Sequence, residues 1–382
     1  MNTPKIYVKG DRIIWIVVMF LSAVSVLAVY SSTGKLAYTE QGGNTEHYLI
    51  KHSFTVLSGI FLMYVTHLLN YKVFSRLGQL LLFIAVPLLA ITLFTGTNLN
   101  QGSRWITLPI INLTFQSSDV AKLALIMYLA RILSRKQEHV KDFKQGFLPL
   151  MAPIVLICGL ILPANFSTAA VLFMTSLVVL FLGRVKIKYL LLLVAGGVLA
   201  FTLFIVVALN MNLPGRIGTW KARIENFSKG DSQSNYQAEH AKIAIANGGI
   251  IGVGPGNSSQ RNFLPQSYND FIYAIIIEEY GLGGGIAIVM LYLTLMYRIV
   301  TMLRQSPQTF ASLLALGCGL LLVFQALINM AVAVNLFPVT GQPLPLISMG
   351  GTSVWFTSIS IGIILSVSRF CKTEKGGELE PA

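Results

Sequence analysis

The stretch NFLPQSYNDFIYAIIIEEYGLGGG, residues 262–285, sets Asp270 at the mouth of an apolar run and Glu278 and Glu279 inside it. If that run crosses a membrane, charge inside it is expensive and marks a functional site by default. At the mouth, a carboxylate is a candidate base for proton transfer. A second pair, Asp119 and Lys122 in FQSSDVAKLALIMYLA, is three residues apart, so both lie on one helix face. Lysine alone at membrane depth is costly, whereas lysine paired with Asp119 or a glutamate is tolerated. Each feature has a plainer reading. Asp270 can cap a helix N-terminus. The glutamates can pair with a buried cation or cap polar backbone, and Asp119–Lys122 can be an ion pair holding two helices together.

Two loops add polar groups. The run NGGIIGVGPGNSSQ, residues 247–260, has the glycines of a phosphate cradle but lacks the G-K-[ST] ending and the strand-turn-helix setting of a P-loop. Its backbone can still approach a pyrophosphate closely, with Arg216, Arg223 and Arg261 as sources of charge; the plain alternative is a flexible loop with solvated arginines. The run NLFPVTGQPLPLISMGGTS, residues 335–353, is uncharged and has three prolines and three glycines. Broken backbone of this kind is tolerated where it lines a cavity or packs in protein, and Ser348, Thr352 and Ser353 offer hydroxyl contacts. GSRWITLP, with Arg104 and Trp105, reads either as a contact loop or as an interfacial anchor.

The elements that must position these residues follow from composition. Of 382 residues, 54% are hydrophobic and 11% charged, with a mean hydropathy of +0.69. That is under half of the roughly 25% charge of a soluble domain, so the expected class is an all-α, polytopic integral membrane protein. Spans of about 20 residues are predicted near 13–32, 48–69, 78–96, 118–134, 148–163, 168–183, 187–210, 270–298, 310–334 and 350–369. The fifth and sixth read as one helical hairpin. The net charge of +13 is carried in short clusters between apolar runs, which argues for topogenic charge and against nucleic acid.

Ten spans put both termini on one side. Clusters such as Lys5, Lys9 and Arg12; Arg131, Arg135 and Lys136; Arg184, Lys186 and Lys188; and Arg369 and Lys372 place that side in the cytoplasm, since the opposite short loops hold only Lys35, Lys51 and Arg104. Residues 211–269 then form one long extracytoplasmic loop, with a short amphipathic helix at 236–247 on the outer leaflet, and 370–382 a polar cytoplasmic tail. The whole of 1–382 reads as a single domain. The first apolar run is longer than a signal-peptide core and lacks an A-x-A site, so it is expected to stay as a span. Cys158, Cys318 and Cys371 have neither disulfide nor metal-ligand spacing. Within the span near 270–298, Glu278 lies eight residues, about 12 Å, below Asp270, so one substrate atom cannot touch both. The two glutamates point about 100° apart, so at least one faces the interior.

Together, QGSRWI…FQSSDVAKLALIMYLA, ANGGIIGVGPGNS, LPQSYNDFIYAIIIEEYG and FPVTGQPLPLISMGGTS resemble the SEDS family (shape, elongation, division and sporulation), whose main branches are FtsW and RodA, and the FtsW branch more closely. The resemblance implies a ten-span fold and a peptidoglycan glycosyltransferase that polymerises lipid II on the outer face of the bacterial cytoplasmic membrane. It places the family's essential aspartate on Asp270 and its acidic-x-x-Lys pair on Asp119 and Lys122. It implies a class B penicillin-binding protein as partner, alongside other division or elongation proteins, and leaves a divalent cation, Mg or Mn, open. This chain departs from the family at Gln116–Asp119, where Gln-Pro-Ser-Glu is usual, at Met349 in place of tyrosine, and at Gln342 in place of lysine. The rival readings are a lipid II transporter, which needs charge along its whole path, and a division scaffold, for which the cavity charges are dispensable.

Overall fold

The computed structural model describes residues 9–42, 44–95, 97–99, 102–108, 113–210, 236–304 and 308–375. Among them, ten helices occupy the ten predicted spans: α1 Arg12–Ser32, α3 Thr45–Leu68, α4 Tyr71–Thr95, α5 Ser117–Arg135, α6 Leu148–Ile161, α7 Phe166–Leu182, α8 Ile187–Asn210, α10 Ile272–Leu303, α11 Thr309–Ala333 and α12 Thr352–Lys375. Two short helices, α2 Gly34–Gln41 and α9 Tyr236–Gly248, lie between them. Seven helical segments are long and apolar enough to cross a membrane, and Phe166–Leu182 and Ile187–Leu203 are shorter apolar helices. Phe54, Phe61, Phe83, Leu191 and Tyr297 point outward, as lipid solvent permits. The chain is a multi-pass membrane protein.

The remaining helix, α5, carries Asp119, Lys122, Arg131 and Arg135, yet most of its residues are buried. Arg131 shows how this is tolerated: its Nη1 donates to Ser75 O (2.6 Å) and Ser75 Oγ (2.9 Å) on α4. Helix α5 packs mainly against α4, α11, α6 and α7, and also meets α12 and β2. The predicted hairpin at 148–183 is present as α6 and α7, and Asn165 caps α7 by accepting from Thr168 N at 3.4 Å.

A small antiparallel sheet supplements the all-helical expectation. Strands β1 Thr97–Leu99, β2 Gly102–Leu108 and β3 Leu113–Gln116 pair in chain order, with Trp105 opposite Gln116 and Leu108 opposite Leu113. Because β3 runs directly into α5, the sheet fixes where the Asp119 turn begins.

Helix α10 is interrupted. Gly281 has φ 70° and ψ −173°, so Leu282 N donates to Gly249 O (2.9 Å) instead of bonding within the helix. The carbonyls of Glu278 and Glu279 are thereby released, and accept from Val253 N (2.9 Å) and Gly254 N (3.0 Å) of the glycine-rich loop. A Cβ on Gly281 would sit 2.2 Å from Ile250 O, and one on Gly252 2.3 Å from Glu279 O. Backbone meets backbone here, and only glycine fits. Helix α9 was expected on the membrane surface. It is instead docked on α10, with Ala238, Ala241, Ala244 and Gly248 buried, because small side chains allow close helix approach.

At the other end of α10, Arg298 reaches the start of α1. Asp11 Oδ1 caps α1 by accepting from Ile13 N (2.9 Å) and Ile14 N (3.4 Å), and Oδ2 accepts from Arg298 Nε (3.1 Å). Burial alone would raise the Asp11 carboxyl; the Arg298 hydrogen bond and charge, with the two amides, hold it below its ordinary value. The stabilisation is therefore complete above the unfolded-state value of about 3.9 and is lost as pH falls through the lower folded one. Asp11→Asn keeps the cap and removes the charge. It should lower the melting temperature in detergent at pH 7, and the gap to the unmodified protein should narrow as the pH is taken below about 4.

Candidate active site

Asp270 lies two residues before α10 and is partly exposed. The cap of that helix is Phe271, which makes no side-chain capping bond, so Asp270 is not the N-cap. Its backbone is fixed from several directions. Asp270 N donates to Gln266 O (3.2 Å), and Asn329 Nδ2 of α11 donates to Asp270 O (2.9 Å). The same Asn329 amide donates to Gln342 O (2.7 Å), and Gln325, one turn earlier, donates to Pro343 O (3.1 Å). Ser348 Oγ donates to Asn269 O (2.5 Å) and accepts from Leu344 N (2.8 Å), while Met349 N donates to Tyr268 O (3.0 Å). Residues 342–349 and 266–270 are thus laced together around the carboxylate. Gly341 lies beneath it with φ 65°, and a Cβ there would be 3.4 Å from Asp270 Oδ2.

The glutamates face elsewhere. Both are buried, Glu278 at 1% and Glu279 at 2% exposure, where the sequence required only one to be. They can both be buried because the loop that docks on the α10 break covers the second face. Glu278 accepts from Ser258 Oγ, from Ser259 N (3.2 Å) and Oγ (2.9 Å), and from Gln260 N (3.3 Å). Glu279 accepts from Ser31 Oγ at the end of α1. Arg261 Nη1 donates to Ser31 O (3.2 Å), where a cation complements the helix C-terminus. A guanidinium has five N–H donors, so Arg261 keeps capacity for an anion.

Asp119 and Lys122 form an ion pair, Oδ1 to Nζ 2.8 Å, with side chains 3% and 11% exposed. The shorter acidic side chain therefore still closes the pair. The first turn of α5 adjoins the first turn of α7: Gln116, Ser117, Ser118 and Asn165 line one small cavity. One turn on, Thr168 Oγ1 accepts from Gln342 Nε2 (3.2 Å). Helix α7 thereby connects the ion-pair region to the Asp270 loops. Among the described residues, Asp119 Oδ2, Ser167 Oγ, Asn269 Oδ1 and Asn329 Oδ1 are buried without a hydrogen-bond partner, which leaves acceptor capacity for water or a polar ligand.

Of the other sequence-derived residues, Thr352 is buried at the start of α12 and Ser353 N donates to Gly350 O (3.0 Å). Arg104 falls within β2, and Arg216 and Arg223 lie outside the described residues. Gln325 and Asn329 were not singled out from sequence. Their signal is two amides four residues apart in an apolar helix, hence on one face. Removing one partner of the buried pair strands a charge, so Lys122→Ala should cost about 3–5 kcal/mol. Adding Asp119→Asn should recover part of that loss, as read from thermal unfolding of both variants in detergent.

The comparisons agree with this architecture. The FtsW/RodA/SpoVE family model, described as "Cell cycle protein", matches residues 11–373. A Coxiella burnetii protein named "Probable peptidoglycan glycosyltransferase FtsW" is 34% identical over 365 residues, covering 93% of this chain and 95% of that one. A Geobacter metallireducens protein of the same name is 32% identical over 368 residues, covering 95% and 96%. Among solved structures, a chain from a peptidoglycan synthase complex, described as coordinating polymerization and crosslinking, matches with a TM-score of 0.73 at 24% identity, covering 95% of this chain and 98% of that one. Thermus thermophilus RodA matches with a TM-score of 0.69 at 23% identity and the same coverages. With the family model spanning nearly the whole chain and relatives above 30% identity over almost their full length, this chain belongs to the FtsW/RodA/SpoVE family of cell cycle proteins.

Proposed function

We propose that this protein is a peptidoglycan glycosyltransferase that polymerises lipid II on the outer face of the bacterial cytoplasmic membrane during cell division. The observation that carries the reading is the setting of Asp270: a partly exposed residue, one carboxylate oxygen buried, on rigidly held backbone at one end of an apolar bundle. Names of relatives that match over most of the chain support the activity.

In this mechanism Asp270 takes the proton from the acceptor sugar hydroxyl as that oxygen attacks the anomeric carbon of the donor. The bond from that carbon to the undecaprenyl pyrophosphate breaks, and the pyrophosphate leaves. General base catalysis of this kind contributes typically 10²–10⁴-fold. Lys122, Arg261 and, by the sequence reading, Arg104, Arg216 and Arg223 supply positive field to the leaving group. The Asp119–Lys122 pair gives that lysine a partner within an apolar bundle, and Glu278 holds the loop that carries Arg261. A divalent cation, which the family resemblance leaves open, would accompany the pyrophosphate; no step depends on it.

Both termini are cytoplasmic and residues 211–269 extracytoplasmic. In support, Arg135 ends α5 and Lys136 follows it, Arg184 to Lys188 lie where α7 gives way to α8, and Arg304 follows α10. By likeness to the synthase complex, the partner is a class B penicillin-binding protein, a transpeptidase with one membrane span. Cysteines placed at Ser232 and Gln137 should label oppositely with an impermeant thiol reagent in whole cells. Labelling at Gln137 from outside would reverse the orientation.

The decisive measurement is glycan-chain formation from lipid II by purified protein with its partner. Asp270→Asn preserves size and should fold and bind the partner normally, yet polymerise at least a hundredfold more slowly, as loss of a general base requires. Polymerisation at the unmodified rate would remove Asp270 from the chemistry and favour the transporter or scaffold reading.

A further inference from the structure

At the end of the bundle remote from Asp270, a cavity of about 580 Å³ opens between α7, α10 and α11. Thr309 at its mouth is 20 residues, about 30 Å, from Asn329 along α11, so it is separate from the Asp270 clamp. Its wall is apolar: Val178, Leu182, Met296, Val300, Leu316 and Leu320. Its rim is polar: Arg184, Ser312, and Gln137 with Thr309, where Gln137 Nε2 donates to Thr309 Oγ1 at 2.7 Å. Among the described residues, no acidic side chain lines it. Arg135, Lys136, Lys186 and Lys188 flank it in the chain.

Arg184 is the informative residue. It follows the end of α7 with φ 64°, while Gly183 N donates to Val179 O (2.9 Å), Arg184 N to Phe181 O (3.1 Å) and Val185 N to Leu180 O (3.2 Å). The left-handed residue that ends a helix this way is usually glycine or asparagine. A Cβ is disfavoured at that φ, yet this position carries the longest basic side chain. Among the described residues its guanidinium has no hydrogen-bond or ion-pair partner. Backbone preference argues against arginine here, so its presence points to use of the side chain.

The dimensions name the occupant. From Thr309 to Leu320 the groove runs eleven residues along α11, about 16 Å, which matches half of the roughly 30 Å hydrocarbon core. A cationic rim above an apolar slot one leaflet deep suits a molecule with an anionic head and an acyl tail. We infer that this cavity is a binding site for an anionic phospholipid of the leaflet opposite Asp270. Its phosphate is held by Arg184, Gln137 and Ser312, and one acyl chain lies against Leu182, Leu316 and Leu320.

The test is native mass spectrometry of the purified, delipidated full chain, with phosphatidylglycerol or phosphatidylcholine added back in detergent. The unmodified protein should retain phosphatidylglycerol over phosphatidylcholine by about tenfold or more, as a charge-assisted contact implies. Arg184→Gly should erase that preference while leaving the melting temperature unchanged or higher, because it removes the backbone penalty. A purely structural arginine would show the reverse pattern, with stability lost and lipid retention unmoved. Leu182→Trp, at a half-exposed wall position, should fill the slot and displace both lipids. Retention of the preference by Arg184→Gly, or retention of neither lipid by the unmodified protein, would overturn the assignment.

Discussion

One side-chain amide sets the register of the Asp270 end. Asn329 has two N–H donors, and they go to two carbonyls from different loops, Asp270 O and Gln342 O. Each is a backbone acceptor that meets an amide buried to 1% exposure. A buried amide or carbonyl left unpaired there costs on the order of 2–7 kcal/mol. The amide is also rigidly placed, because α11 is among the most buried helices of the bundle. Both loops must therefore come to it, and Asp270 is held at a fixed distance from residues 341–342. The Gln342 side chain extends the same constraint to Thr168 on α7.

A second constraint organises the segment before Asp270, which has few apolar residues from which to build a core. Glu278 serves as its template. A buried carboxylate needs donors, and the turn at residues 258–260 provides hydroxyls and amides in one concave cluster. The helix break at Gly281 adds main-chain acceptors for Val253 and Gly254. The two effects are complementary. The break would leave buried carbonyls unpaired without the loop, and the loop would have nothing to bond without the break. Carboxylates that look like reaction groups in the sequence thus work as scaffolding, one loop removed from Asp270.

The membrane bundle was legible because hydropathy is read over about 20 residues at a time and tolerates local error; a helix overlaps each of the ten predicted spans, and the largest boundary difference is at the third, predicted from 78 and beginning at Tyr71. The Asp119–Lys122 pair was legible because its partners share a helix face and need no tertiary knowledge. What escaped depends on sequence-distant backbone. GLGGG reads as a permissive patch in a helix, and nothing local says that Leu282 N will find Gly249 O, 33 residues earlier. Asn329 reads as a polar residue in an apolar run, but its partners are carbonyls, which every residue possesses. The sheet at 97–116 was missed because its strands are as short as three residues and sit between stronger helical signals. Docking of α9 was missed because an alanine face suits a protein surface as well as a solvent boundary.

The separation of Asp270 from the helix it precedes has a consequence for chemistry of the proposed kind. A base inside α10 would move with that helix, which is broken a few residues later and bears a docked loop. Asp270 instead stands in a turn whose two sides are bound independently: Gln266 O and Asn329 hold the residue itself, and Ser348 and Met349 hold the carbonyls of Asn269 and Tyr268. Fixing the backbone this way confines the carboxylate to the range of its own two side-chain torsions. Misplacement of a reacting group by about 1 Å can cost 10²-fold in rate, so a base facing a mobile lipid-linked substrate benefits from a rigid mount more than from deep burial. Partial exposure of the residue at the end of an otherwise buried hydrogen-bond lattice suits both needs of the proposed reaction: the lattice fixes position, and the exposed side is where a sugar would approach.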